Sequence, residues 1–410
     1  MDRLANPVRP YSWGSTTAIP ELLGTRPTGE PQAELWMGAH PGAPSRVDRG
    51  GGLVSLPDVI AADPEGELGA GAVRRFGPRL PFLLKLLAAD SPLSLQVHPD
   101  LEQARAGFAA EEERGVPLDA PHRSYKDANH KPELICALTP FDGVCGFRDP
   151  AATADLLAAL DVDSLKPYVD ALRARPESEA LREVFTAILT ADPEGVAETV
   201  RLAGAAAERL AAEGHEQREA YAAYASLARA YPGDPGVLAA FLLHYVLLQP
   251  GEALYLGAGV PHAYLGGLGG LGVEIMANSD NVLRCGLTPK HVDVAELLRV
   301  VRFESGAPHV LRPAPAPDAT PGGFPGEEVY AAPIDDFRLS RCVVSEGAEV
   351  SRLPSGAPQI VLCTAGTVVL REAGGRRELR LARGESAFVP ASEEVELTGG
   401  GTVFRATAAP

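Results

Sequence analysis

The chain has little with which to build a disulfide frame. Its five cysteines, Cys136, Cys145, Cys285, Cys342 and Cys363, are odd in number and form no CxxC pair. They read as buried thiols in a reducing compartment. Long apolar runs are missing too. The longest, Val237 to Leu248, contains His244 and is too short to cross a bilayer. The opening MDRLANPVRPYSWGS holds no apolar stretch of the signal-peptide kind. A cytoplasmic location with no membrane partner is therefore expected. Positive charge is scarce: 37 Lys and Arg against 54 Asp and Glu give a net charge of −17. That balance argues against nucleic acid as a partner, and no basic stripe with aromatics offsets it. It leaves room for a small anion, because a few basic residues in one pocket set the local field. Also absent are a nucleophile elbow, a P-loop and a dinucleotide-binding fingerprint. GLGGLG at 267–272 has the glycines, but it is too repetitive, follows no clear βα unit and reads as a loop.

What is present is an ordinary globular composition, with 45% hydrophobic and 22% charged residues over 410 positions. That length suits two or three domains. The chain changes character twice. Residues 1 to about 148 carry many Gly and Pro and short apolar runs such as PFLLKLLAAD and SPLSLQVHPD, which read as strands between turns. Residues 149 to about 246 are rich in Ala, Leu and Glu. There Asp149-Pro150, Asp192-Pro193 and Asp234-Pro235 each fit an Asp cap ahead of a first-turn Pro. Leu156, Leu157 and Leu160 recur at helical spacing, as do Val200, Ala203, Ala207 and Leu210. From Gln249 strand-like segments return, interrupted by a short helix expected over 292–302. The tail from about 305 starts Pro-rich and continues as QIVLCTAGTVVL, RRELRLARGESAFVPA and EVELTGGGTVFRA. Short strands with Gly turns predict a β-sandwich or jelly roll. The expected class is mainly β with an inserted helical domain. A faint echo aligns GEALYL at 251–256 with GESAFV at 384–389. It sets Val395 opposite His262 and predicts a second β-module that lacks the histidine.

Four segments hold residues with chemistry to offer. In LSLQVHPD, Gln96 and His98 are two apart on a predicted strand, so both leave the same face. An amide oxygen beside an imidazole makes half of a metal site; taken alone, the pattern fits a polar strand face in water better. In DANHKPELICAL, residues 127–138, an extended chain puts Lys131 and Glu133 on one face and Pro132 on the other. Either the two pair at the surface, or Glu133 binds a metal while Lys131, beside that cation, loses its proton more easily and serves as a base. His262 in GAGVPHAY follows a strand and a Gly-containing turn. From there a second hairpin supplies one metal ligand, or the histidine is simply packed. In EIMANSDNVLRCGLTPKHVD, residues 274–293, Glu274, Asp280, Asn281, Arg284 and Lys290 stand among small and apolar residues. Arg284 in such surroundings needs an anionic partner, either a carboxylate of the chain or a ligand.

The order of these pieces is more specific than any one of them. YSWGS (11–15), AELWMGAHPGAPS (33–45), PFLLKLLAADSPLSLQVHPD (81–100), NHKPEL (129–134), VPHAY (260–264) and NSDNVLRCGLTPKHVD (278–293) resemble type I mannose-6-phosphate isomerases. The likeness spans residues 1 to about 305. It implies a zinc-dependent aldose–ketose isomerase with a cupin-like jelly-roll core and one zinc ion per chain. By motif position the zinc ligands correspond to Gln96, His98, Glu133 and His262, and the catalytic arginine to Arg284. Two N and two O ligands suit a borderline metal. The resemblance further implies a small sugar phosphate as substrate, mannose 6-phosphate and fructose 6-phosphate, on the way to precursors such as GDP-mannose. Lys131 and Glu274 are the two candidates for the base; Arg284 stays protonated. Ser94, Lys85, Lys290, Asp280 and Trp13 are candidates for holding substrate and its phosphate, with Lys85 readable also as a snorkelling lysine at a strand end. The implied organisation is a catalytic module of 1–148 with 247–305, a helical domain of 149–246 and a C-terminal cupin-like module of 306–410 without metal ligands, acting as a monomer. Two other readings are a non-catalytic sugar-binding cupin and an iron cupin oxygenase. Lys131 and Arg284 count against the first, and the Gln ligand against the second.

Overall fold

In the computed structural model, which describes residues 1–267, 269–316, 323–347 and 350–408, two antiparallel sheets lie face to face. The larger runs Val310–Leu311, Ala253–Leu256, Glu133–Ala137, Leu271–Ala277, Phe82–Ala88, Glu34–Gly38, Val8–Arg9 in spatial order. The smaller runs Leu243–Leu248, Phe141–Phe147, His262–Tyr264, Leu95–Val97, Leu283–Gly286. Leu87, Ile135 and Ala137 of the larger sheet meet Phe141, Cys145 and Tyr264 of the smaller in one apolar cluster. This is a cupin-type β-sandwich.

Each sheet is covered on its other face as well. Phe82–Ala88 is buried at every position, so FLLKLLA cannot show the apolar–polar alternation of a half-exposed strand. Its outward residues Phe82, Leu84 and Leu86 pack with Ile360, Leu362, Phe388 and Phe404 of the C-terminal region. The outward residues of the smaller sheet, Leu95, Val97, Ala263 and Leu283, pack with Leu156, Leu181, Phe185 and Phe241 of the helices. Four layers result: helices, small sheet, large sheet, C-terminal sheet.

The helical layer holds Pro150–Ala159, Lys166–Ala174, Glu177–Thr190, Pro193–Ala212, Arg218–Ala230 and Pro235–Phe241. All three Asp-Pro caps form. Asp149, Asp192 and Asp234 accept the backbone N–H of Ala152, Gly195 and Gly236 at 3.0, 3.0 and 2.7 Å. Leu156, Leu157, Leu160, Val200, Ala203 and Ala207 are buried at the spacing read from the sequence. The helices stop at Phe241, and Leu243–Leu248 is a strand. A continuous apolar run does not distinguish buried helix from buried strand by its period, so the helical reading up to 246 overran. The short helix expected over 292–302 is Val294–Val300, capped by Asp293.

The first 148 residues also hold helices, of which Leu101–Glu113 is the longest. Asp100 and Gln103 cap it reciprocally, a D-x-x-Q signal visible in the sequence. Among the described residues the C-terminal sheet has nine strands, including Gln359–Glu372, Ser386–Val389 and Val395–Thr407. Asp2–Arg3 pairs with Ser386–Val389, so this sheet joins the two ends of the chain. Both halves of the faint echo are strands, and Val395 is buried in the apolar interior of the C-terminal sheet. All five cysteines are buried and free. Among the described residues no helix is long and apolar enough to cross a membrane.

Candidate active site

Strand register sets the site. His262 stands directly across from Gln96, and Gln96 directly across from Arg284 on its other side. Residues opposite one another in an antiparallel pair share a face. These three side chains therefore turn together toward the larger sheet. That sheet answers with a second row: Trp36 is opposite Lys85, Lys85 opposite Glu274, and Met276 opposite Glu133. Between the two rows lies a cavity of about 500 Å³.

At its floor His98, Glu133 and His262 converge, all buried, with ligand atoms within 4.8 Å of one another. One carboxylate oxygen of Glu133 lies 3.5 Å from Nε2 of His98 and 3.6 Å from Nε2 of His262. Each imidazole donates its Nδ1–H to a backbone carbonyl, His98 to Asn281 at 2.8 Å and His262 to Val260 at 2.9 Å. That fixes the tautomer and leaves the Nε2 lone pair facing inward. Both Nε2 atoms are buried without a hydrogen-bond partner. A buried unpaired acceptor is costly unless something fills the gap. Burial pushes the His98 imidazolium down to about 4, and the Lys131 ammonium adds repulsion, so the ring is neutral and able to coordinate. Burial opposes ionisation of Glu133, yet the Lys131 ammonium beside it holds the carboxyl well below its ordinary range. Two imidazoles and a carboxylate, with the Gln96 amide in register beside them, form a donor set that suits a divalent zinc-like ion.

The wall beside the floor is charged and dry. Lys131 is 3.0 Å from Glu133 Oε1. The two share a face, as strand alternation predicted, but the pair is buried where the sequence left a surface bridge open. Lys85 donates to Glu274 at 2.9 Å, lies 3.8 Å from Glu34 and stacks over Trp36. Burial alone would drive off the Lys85 proton; the carboxylates Glu274, Glu34 and Glu133 hold it on and raise its affinity. It is a buried, mid-strand lysine, which replaces the snorkelling alternative. Tyr264 donates to the other oxygen of Glu274 at 3.0 Å. Burial raises the Glu274 pKa; Lys85 opposes this, while Glu133 and Glu34 add to it.

Toward the mouth the charge is positive and unpaired. Arg284 makes no ion pair and no hydrogen bond among the described residues, and burial lowers its pKa. The carboxylate of the chain that the sequence allowed as its partner is not there. Lys290 lies nearby, its pKa lowered by burial and by Arg284. Ser94, Trp13 and Asp280 line the same cavity, with Trp13 stacked on Tyr11 and Asp280 3.3 Å from His40. The cavity lining thus includes Arg284, Lys131, Glu274, Ser94, Lys85, Lys290, Asp280, Trp13, Gln96 and Glu133, and His98 and His262 sit behind Glu133.

Several contributors were not singled out from the sequence. Glu34 and Trp36 lie in the quoted segment AELWMG, and alternation with period two would have placed them together. The Tyr264 hydroxyl and the carbonyls of Asn281 and Val260 act through geometry that no motif spells. Tyr231 comes from the helical layer, lines the cavity and donates to the Pro92 carbonyl at 2.8 Å. Asp234, besides capping its helix, accepts the Thr288 N–H at 3.1 Å and so ties down the loop carrying Lys290. In that loop Leu287 has φ 55°, a left-handed conformation uncommon for a residue with a Cβ and frequent at functional sites.

A cupin-type sandwich with a His–Glu–His floor under a cationic mouth defines a class: a β-sandwich built around a metal centre for a small anionic ligand. Residues 1–150 match the family model of the phosphomannose isomerase type I catalytic domain. Mannose-6-phosphate isomerase of Escherichia coli strain K12 is 40% identical over 408 residues, covering 99% of this chain and 99% of that protein. A crystal structure of a mutant phosphomannose isomerase from Salmonella typhimurium superposes with a TM-score of 0.89 at 37% identity, covering 100% of both chains. A zinc-bound mannose 6-phosphate isomerase gives a TM-score of 0.87 at 37% identity, covering 100% of this chain and 99% of the other. The chain belongs to the type I mannose-6-phosphate isomerase family, a family of aldose–ketose isomerases.

Proposed function

We propose that this protein interconverts mannose 6-phosphate and fructose 6-phosphate with one zinc ion, held by Gln96, His98, Glu133 and His262. When bound, zinc supplies Lewis-acid polarisation of a substrate oxygen. With one anionic ligand among four, the site stays net positive, which favours a sugar phosphate. The open-chain aldose lies with its carbonyl end toward the floor and its phosphate toward Arg284, Lys290 and Ser94. A proton leaves C2 for Glu274, or for Lys131 once that amine has given up its own proton, and returns at C1, while the C2 hydroxyl proton passes to the C1 oxygen. The intermediate is a cis-enediolate, and the Arg284 fork stabilises its charge. Lys85 keeps the Glu274 carboxylate in place, and Tyr264 holds its second oxygen. The reaction links hexose phosphates to mannose-derived precursors such as GDP-mannose, in a cytoplasmic monomer. In this reading 1–148 with 243–311 catalyse, 149–242 cover the smaller sheet, and the C-terminal sheet backs the larger one.

One observation supports this most: two buried Nε2 atoms without partners face the same carboxylate oxygen beneath an unpaired arginine. The test is metal analysis of the purified protein with an aldose-phosphate to ketose-phosphate assay, before and after chelation. Expected are one zinc per chain, turnover, loss of turnover on chelation and its return with zinc. Zinc without turnover would favour a sugar-binding cupin; full turnover without metal would overturn the reading.

A further inference from the structure

Asn281 has no exposed surface and its side chain makes every hydrogen bond an amide can make. Nδ2 donates to the carbonyls of Asp127 at 2.8 Å and Asn129 at 2.7 Å. Oδ1 accepts the backbone N–H of Lys126 at 2.7 Å and of Asp127 at 3.2 Å. All four partners belong to the loop that runs into Lys131 and Glu133. The backbone carbonyl of the same residue accepts Nδ1–H of His98 at 2.8 Å, and Arg284 follows three residues later.

Neighbours lock the arrangement. Ser279 Oγ donates to Asp127 Oδ1 at 2.9 Å and accepts the Asn281 N–H at 3.2 Å. Asp127 Oδ2 accepts the Asp280 N–H at 2.8 Å. A buried polar network with all members satisfied is rigid, and a half-satisfied one is costly. Neither loop has a strand pairing of its own here. Their separation is set by these bonds.

We infer that Asn281 is a positioning residue that fixes the distance between the metal floor and the cationic mouth. Its side chain holds the 126–129 loop, its carbonyl orients His98, and its place in the chain delivers Arg284. Three segments far apart in sequence are thus tied at one residue that touches neither metal nor substrate. This rests on the zinc-isomerase reading above and adds to it the device that keeps the parts in register.

Asn281→Asp keeps shape and acceptors but loses the two amide donors and sets a carboxylate against the Asp127 and Asn129 carbonyls. Asn281→Ala removes the clamp entirely, and Ser279→Ala removes only its brace. Zinc affinity is measured by chelator competition, apo melting temperature by calorimetry, and kcat and KM at saturating zinc. Losing an outer partner of a ligating histidine typically weakens metal binding about 10–100-fold. Asn281→Asp keeps the carbonyl that holds His98 but frees it to shift, so a loss of about 10-fold, the lower end of that range, is expected, with a lowered kcat and a KM that changes less. A residue that only stabilised the fold would lower the melting temperature and leave zinc affinity and kcat of the folded enzyme unchanged. That result in Asn281→Asp overturns the inference. If both asparagine variants fail to fold, Ser279→Ala decides: zinc affinity and kcat equal to wild type overturn it, and a smaller loss in both supports it. Failure of the wild type to bind zinc or isomerise sugar phosphate would count against the underlying reading instead.

Discussion

The catalytic sandwich and the C-terminal sheet both bury charge, and they do it differently. In the C-terminal sheet Arg405 donates to Glu327 at 2.8 Å and to Gln359 at 2.6 Å, and Ser340 donates to the same Glu327. Gln359 in turn donates to the Pro354 carbonyl at 2.7 Å. The knot closes on itself. In the catalytic sandwich the Nε2 atoms of His98 and His262 have no partner, and Arg284 no carboxylate, among the described residues. Buried polarity alone does not mark a site. Single unmet atoms do not either, since Asp142 Oδ1 and Arg148 Nε are buried without a partner elsewhere; several that converge on one cavity do, because together they cost free energy that a ligand recovers.

The largest effect should come from the open floor. His98→Ala or His262→Ala is expected to strip zinc and reduce isomerase activity to background, since a first ligand is lost and the rest cannot complete the shell. Full metal occupancy with normal turnover in both would erase the contrast between the two regions. Next comes the open mouth. Arg284→Ala should keep zinc and lower kcat by roughly two or more powers of ten, the loss usual for one transition-state charge stabiliser. Arg284→Lys should recover only part, because an ammonium lacks the two-pronged fork. Melting temperature, zinc content and kcat on one preparation separate this from mere instability.

The closed knot should respond in the opposite way. Arg405→Met strips buried Glu327 of the guanidinium and leaves it the Ser340 hydroxyl and the Phe324 N–H, with Arg338 nearby; the cost should fall at the lower end of about 3–5 kcal/mol, while zinc content and kcat of the folded fraction stay near wild type. Replacing Glu327 as well should restore much of the stability. Urea unfolding measures both, and a loss of zinc affinity in Arg405→Met would show that the regions are coupled.

The smallest effect concerns the thiols. Burial raises Cys136 and Cys342 from 9.0 to about 11. A raised folded-state pKa contributes stability below the unfolded value that is lost as pH climbs through the folded one. The melting temperature should therefore decline between about pH 9 and 11. The decline should shrink in the Cys136→Ala, Cys342→Ala double variant, and an unchanged slope would remove the thiols as its cause.

Much of the site could be read before the fold was seen. Strand alternation placed Gln96 with His98 and Lys131 with Glu133, because a period of two survives any tertiary context. Motif order supplied His262 and Arg284. What alternation could not supply was the partner across the sheet. Lys85 in a run of leucines looks stranded until Glu274 and Glu34 arrive from the neighbouring strands. The stacking order was equally hidden. Phe82, Leu84 and Leu86 demand a cover, but nothing in them names the C-terminal sheet as that cover. Asp2–Arg3 is too short to announce itself as a strand and pairs with residues almost 400 positions away. Leu243 to Val246 reads as helix because it continues the apolar run of the seven-residue helix Pro235–Phe241.

Gln96, His262 and Arg284 stand level on three adjacent strands, and this governs which changes of length the chain tolerates. Adding or deleting one residue within Leu95–Val97 exchanges the strand's two faces, so that an apolar neighbour takes the place of Gln96. The row is lost in a single step, with no intermediate worth keeping. A turn added to the helix Pro193–Ala212 moves nothing in that row. Insertions and deletions are thus open to the helical layer and closed to the strands, and drift in chain length should accumulate on one side of the smaller sheet only.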